Sequence, residues 1–242
     1  MAMGIRGFGA VVVAVAALAG CVQSMPVPQG SAPIPVAGTA PVLPVDQAAE
    51  NFVAVVARVK PVAERYCRSL RRVANCDFQI VIDDRPGQPP NAFQTVDRTG
   101  RPILAFTVPL IRDARNRDEL AFVLGHEAAH HIAGHLPRQQ NTAVAGAVLA
   151  GVLAHVSGGG EQAIASAQEF GAFVGARQYS KDFELEADRL GAEIAYAAGF
   201  DPRVGAAFFD RIPDPGDEFL GSHPANADRK RVVAATVAQL GG

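Results

Sequence analysis

The stretch Gly125-His126-Glu127-Ala128-Ala129-His130-His131-Ile132-Ala133-Gly134-His135 decides how this chain is read. It opens with His-Glu-x-x-His. On a helix, residues i and i+4 lie on one face, so His126 and His130 can address one ion. Glu127 sits one step round, close enough to take a proton from a water at that ion. The residues just before it predict the helix. Asn116-Arg117-Asp118-Glu119 has the form of a capping box, with Asn116 as N-cap and Glu119 reaching back. Leu120, Val123 and Leu124 supply an apolar stripe, and no proline appears until Pro137, so helical phase is kept through both histidines. His131 and His135, on the same predicted helix, are rotated off the shared face and are expected to be packing or surface residues.

Working outward, composition bounds the rest. The 242 residues suit a single domain of ordinary size. Nearly half are apolar, as in a folded body. A formal net charge of −2 gives no electrostatic case for nucleic acid, and the lack of Trp argues against a base-stacking surface. At the start, Arg6 and the apolar run from Phe8 to Leu18 have the form of an export signal too short to span a bilayer. The run ends in Leu18-Ala19-Gly20-Cys21, which resembles a bacterial lipobox: the expectation is cleavage before Cys21 and a lipid on its thiol. Val22 at the next position resembles outer-membrane sorting in lipoproteins of this type. The expected organisation is a signal peptide over 1–20, a lipidated Cys21 with a Pro-rich tether over 21–45, and a folded domain over 46–242. Cys67 and Cys76 are either a disulfide pair, as export favours, or two buried thiols.

Within the folded part, 48–72 reads as a helix that Pro61 can kink. The segments 78–82, 91–96 and 102–107 read as strands, the last two joined by a turn at Arg98-Thr99-Gly100. A small antiparallel sheet feeding a helical domain follows: an α+β fold, mostly helical, of the zincin type. Residues 142–155 are almost wholly Ala, Val, Gly and Leu. Against a membrane-touching or partner-binding helix, the reading preferred is a core helix of small residues. Further helices are expected over 161–177, 181–198 and 225–240, and the end at Gly242 leaves no room for an appended solenoid.

A catalytic zinc takes three protein ligands and keeps a position open. In Phe183-Glu184-Leu185-Glu186-Ala187-Asp188-Arg189, Glu184 and Asp188 share a face one turn apart. They are either a metal donor and an acceptor for a ligand's N–H, or part of a charged helix surface. Glu186 faces away from them and is expected to be dispensable for the metal.

His126-Glu127-x-x-His130, Tyr179-Ser180-Lys181 and Glu184-x-x-Ala187-Asp188 together resemble the HtpX and CaaX prenyl protease family of zinc peptidases, a gluzincin group, and in particular secreted lipoprotein members such as LoiP and BepA. The resemblance implies one zinc per chain, with Glu184 as third ligand. It makes Asn91-Ala92-Phe93 the strand beside the active site. It pairs Ser222-His223-Pro224 with Arg229 as a His-Pro loop and its following arginine. It departs at Lys181, where Arg is usual, and in the expected absence of BepA's TPR repeats. What it implies is a periplasmic, outer-membrane-anchored endopeptidase in which Glu127 activates water, degrading misfolded or misassembled envelope proteins. An extended peptide would add beside the 91–96 strand through main-chain hydrogen bonds. His223 would either occupy the fourth metal position as a latch, which the resemblance favours, or stabilise the oxyanion. Two other functions compete: a non-catalytic chaperone-like lipoprotein, which the presence of Glu127 opposes, and a zinc hydrolase acting on cell-wall peptide, for which no wall-binding module is recognisable.

Overall fold

The computed structural model describes residues 42–178, 180–214 and 224–241. Helix α1 (Val45–Leu70) runs unbroken through Pro61. Three strands follow, β1 (Gln79–Asp83), β2 (Ala92–Val96) and β3 (Pro102–Thr107), then a short α2 (Val108–Asp113) that the sequence did not announce. The metal-motif helix is α3 (Arg117–Ile132). After it come α4 (His135–Val156), α5 (Glu161–Gln178), α6 (Ser180–Ala197), α7 (Pro202–Gly205) with a 3₁₀ turn (Ala206–Asp210), and α8 (Asn226–Gln239).

The sheet is mixed rather than antiparallel. Its order is β1-β3-β2, with β3 antiparallel to β2 and parallel to β1. The reason is burial. β3, Pro-Ile-Leu-Ala-Phe-Thr, has the most apolar exterior, and Leu104, Ala105 and Phe106 are all buried, so it takes the centre. The β2–β3 hairpin is local. β1 can then reach only the far side of β3, and there it runs parallel. β2 is left as an edge.

The main core joins α1, β3, α3 and α6 through Phe52, Val55, Val59, Phe106, Leu124 and Ile194. The apolar stripe of α1 runs through Phe52, Val55, Val59 and Val62, while Val53 points to solvent. A smaller cluster of Phe122, Phe209 and Val233 ties α3 to the 3₁₀ turn and α8. Cys67 at the end of α1 is disulfide-bonded to Cys76.

Two expectations fail in α4. First, α3 stops at Ile132, because Gly134 adopts φ +68°, a left-handed conformation that glycine takes without strain. His135 therefore starts a new helix and is re-aimed. Second, α4 is not a core helix: His135 and Gly151 are its only buried residues, and Val144, Val148, Leu149, Val152, Leu153 and Val156 are exposed. Small residues do pack closely here, but chiefly against α5, with the larger side chains turned outward.

Candidate metal centre

The N-terminus of α3 is fixed from both sides. Asn116 Oδ1 accepts from the Glu119 N–H at 2.9 Å, as a cap should. Glu119 reaches back one residue beyond the capping box, to the Arg115 N–H at 2.9 Å, and accepts from Arg211 at 2.7 and 2.6 Å. It is 1% exposed, so this guanidinium is what makes its buried charge tolerable.

Further along, α3 meets α6 backbone to backbone. A Cβ on Gly125 would sit 2.6 Å from the Gly191 carbonyl oxygen, and one on Gly191 would sit 2.7 Å from the His126 nitrogen. Only glycine at both points permits this approach. It brings Glu184, two turns earlier on α6, over the histidines of α3. His126 Nε2 lies 3.0 Å from His130 Nε2 and 3.4 Å from Glu184 Oε2, and His130 Nε2 lies 3.3 Å from Glu184 Oε1. Among the described residues, these three form a group able to hold a metal.

The hydrogen bonds behind the trio decide which atoms face inward. His126 Nδ1–H donates to Asp188 Oδ1 at 2.9 Å, and Asp188 in turn accepts from Arg229 Nε and Nη2, both at 2.7 Å. Asp188 is fully buried. Burial pushes its pKa up, but Arg229 and His126 outweigh this and hold it below the ordinary carboxylate value. Arg229 also lies over the Phe209 ring at 4.1 Å.

His130 is held differently. Its Nδ1 is 2.9 Å from His135 Nδ1, and His135 Nε2 is 3.2 Å from Glu186 Oε2. Glu186 accepts from Arg138 at 2.8 Å and Arg72 at 2.7 Å. Burial raises the Glu186 pKa, but Arg138, His135 and Arg72 together bring it to about 2, so it is an anion. Burial, partly offset by Glu186, lowers His135 to about 4, so His135 is neutral near pH 7. Its one N–H goes to the carboxylate from Nε2. Its Nδ1 must then accept, and His130 Nδ1–H must donate. The His135 ring is stacked on Phe183, with centroids 4.6 Å apart, which fixes its plane.

Both imidazoles thus use Nδ1 outward and leave Nε2 for the centre. Two nitrogen lone pairs 3.0 Å apart beside a carboxylate require positive charge between them. Burial disfavours charge on His126, yet Asp188 and Glu184 raise it to about 10, the same demand met by a proton. The residues fit a divalent cation. Tetrahedral zinc at its usual bond lengths separates its ligand atoms by about 3.3 Å, close to all three distances here.

Glu127, 9% exposed, faces the same cleft of about 410 Å³. Asn91, Ala92 and Phe93 line its opposite wall, so the motif and the 91–93 segment do meet. His131 stays off the centre, with Nε2 2.7 Å from the Asn75 carbonyl. The sequence reading missed His135 and Glu186. Gly134 was the available signal, since a glycine just before a histidine can end one helix and start another. Cys21, Tyr179, Ser222 and His223 lie outside the described residues.

Part of the sequence is similar to that of known proteins. The chain is 31% identical over 133 residues to the beta-barrel assembly-enhancing protease of Yersinia pestis, covering 48% of this chain and 26% of that one. It is 30% identical over 133 residues to the protein of that name in Escherichia coli K12 (50% and 27%). To the mitochondrial metalloendopeptidase OMA1 of Arabidopsis thaliana it is 28% identical over 138 residues (54% and 27%). The chain spans about a quarter of the length of these curated relatives. Residues 54–237 match peptidase family M48. With most of its length matched and a His-His-Glu group poised for a cation, the chain belongs to peptidase family M48, a family of metal-dependent proteases.

Proposed function

We propose that the chain is a zinc endopeptidase of the bacterial envelope that degrades misfolded or misassembled proteins, with Glu127 as general base. One observation carries the reading. Two imidazoles with their Nε2 lone pairs turned inward and one carboxylate share a cleft with a second, non-ligating carboxylate and an edge strand. His126, His130 and Glu184 would hold the metal. Zinc so held supplies Lewis acidity toward a scissile carbonyl and lowers the pKa of water.

The chain's own residues do the rest. The Glu127 carboxylate takes a proton from the attacking water as its oxygen bonds to the carbonyl carbon. It then delivers that proton to the amide nitrogen as the C–N bond breaks. Among the described residues, β2 pairs with β3 on one edge only, which leaves its other hydrogen-bonding side unpaired by any strand. A peptide laid along Asn91 to Val96 would pair through its main chain, which tolerates many sequences and suits unfolded substrates. The names of the bacterial relatives, beta-barrel assembly-enhancing proteases, support a role in β-barrel assembly. The Cys21 lipid, the tether over 21–45 and outer-membrane placement belong to the same proposal. No helix among the described residues is long and apolar enough to cross a membrane.

The test is casein hydrolysis by the purified chain, with metal analysis. Wild type should cleave casein, lose activity to a chelator and regain it with zinc. Glu127→Gln should keep zinc and lose nearly all turnover, whereas Glu184→Ala should lose the metal. Turnover by metal-loaded Glu127→Gln would remove Glu127 as the base. A chain that binds zinc but never cleaves would favour the chaperone-like alternative.

A further inference from the structure

The α4–α5 hairpin is built inside out. Its helix–helix seam consists of small residues. A Cβ on Gly146 would collide with the Gly171 carbonyl, and one on Gly175 with the Thr142 carbonyl, so the two backbones touch. The large apolar side chains lie outside the seam. On α4, Val144, Val148, Val152 and Val156 recur every four residues, with Leu149 and Leu153 on the adjoining row. Val148 is 58% exposed, Leu153 56% and Val156 71%. In water the economical arrangement is the reverse, with the large side chains in the seam. Small residues inside and large apolar ones outside is how helices pack when the surroundings are hydrocarbon.

Charge supports the same surroundings. From Gln139 to Gly160 the chain has no Asp, Glu, Lys or Arg. A protein-binding face of this size would be expected to carry a polar or charged rim; beyond the polar base at Arg138 to Thr142, α4 has only His155, and the acidic residues of the hairpin, Glu161 and Glu169, are on α5. The face is too short and too mixed at its base to cross a bilayer. Reach is adequate. Val42, the first described residue, follows Cys21 by 21 residues, which span at most about 75 Å when extended.

We propose that the α4 face of this hairpin, from Val144 to Val156, is a monotopic membrane-binding surface that seats in the interfacial layer of a lipid bilayer. It acts as a second attachment beside the lipid on Cys21, and holds the cleft at the membrane instead of letting it swing on its tether. The proposal rests on the anchored-lipoprotein reading only for reach, so its test removes the lipid.

The chain from residue 21 onward carrying Cys21→Ser, which lacks both the lipid and the apolar leader over 8–18, is mixed with phosphatidylcholine vesicles, which exclude lipid charge as a cause, and floated on a density gradient. The same protein with Val148→Glu and Leu153→Glu is the comparison. Both positions are exposed, so the fold should survive, and helical circular dichroism with zinc content checks this. The expected result is flotation of the Cys21→Ser protein and a fall of at least about tenfold in partitioning for the double variant, the order expected on losing one buried Val or Leu. Equal flotation of the two, or no flotation of either, would overturn the proposal. Concentration-dependent dimerisation in sedimentation that the double variant abolishes, without flotation, would reassign the face to a second copy of this chain. Casein hydrolysis by the same preparations reports on the peptidase separately, since its loss leaves the flotation result standing.

Discussion

Glu186 touches neither the metal group nor Glu127, yet its removal should weaken zinc binding. The structure gives the route. Glu186 Oε2 takes the His135 Nε2–H, and this obliges His135 Nδ1 to accept the His130 Nδ1–H at 2.9 Å. With Glu186→Ala, His135 is free to carry its proton on Nδ1. It would then donate to His130 Nδ1 and drive the His130 proton onto Nε2, where the cation belongs. Loss of such a partner costs about 10–100-fold in metal affinity, or about 1.4–2.7 kcal/mol. The fold should lose less. The arginines that hold Glu186, Arg72 and Arg138, are each 46% exposed in their side chains, and ion pairs so open to water contribute about 0–1 kcal/mol. Glu186→Gln is the control: its amide oxygen can still accept from His135, so most of the affinity should return. Competition against a chelator of known zinc affinity measures the loss, and nitrogen chemical shifts of the His130 ring report the tautomer. If Glu186→Ala bound zinc as tightly as wild type with the His130 tautomer unchanged, the bracing role assigned to His135 and Glu186 would be wrong.

Three further outcomes test other parts of the argument. Arg211→Ala should destabilise the fold by about 3–5 kcal/mol in denaturant melts, because it strands the buried Glu119 carboxylate; Arg211→Ala combined with Glu119→Gln should recover part of that. Gly191→Ala drives a Cβ to 2.8 Å from His126 Cα, and should cost about 1–3 kcal/mol together with a measurable loss of zinc affinity as α6 is pushed off α3. His223→Ala should raise basal casein hydrolysis if the His-Pro loop is a latch; a fall in kcat of about a hundredfold with unchanged zinc content would instead make it an oxyanion stabiliser.

What the sequence made legible was local. The α3 helix follows from the spacing of His126 and His130 and from its cap, and the strands lie within a residue or two of their alternating runs. Glu184 was a harder case, because spacing alone fits a charged surface equally well; what brings it over the histidines is the Gly125–Gly191 approach, which joins residues far apart in the chain. Strand direction was not legible either, since it depends on which strand takes the sheet centre. The Ala-Val-Gly-Leu run of α4 shows a different limit. Composition reports that a helix is apolar, not which medium its large side chains meet, and Val148 and Leu153 would read the same in a core.

The two arms behind the histidines also explain why the centre sits where distant parts of the chain converge. The His126 arm ends on Arg229 of α8, and the His130 arm ends on Arg72, just after α1, and Arg138 of α4. α1 and α8 stand near opposite ends of the described chain, and α3, α4 and α6 supply the residues between them. A cation bound at the centre therefore stabilises more than its three ligands: it favours the one arrangement in which α3, α4, α6, α8 and the segment just after α1 present their side chains together, and adds its binding free energy to the folded state. The arms are not equivalent, however. Asp188 is fully buried and clamped by one guanidinium, whereas Glu186 is partly open to solvent and shared by two. Salt should screen the Glu186 arm far more than the Asp188 arm, so when ionic strength weakens zinc binding, the His130 ring should lose its fixed tautomer before the His126 ring does.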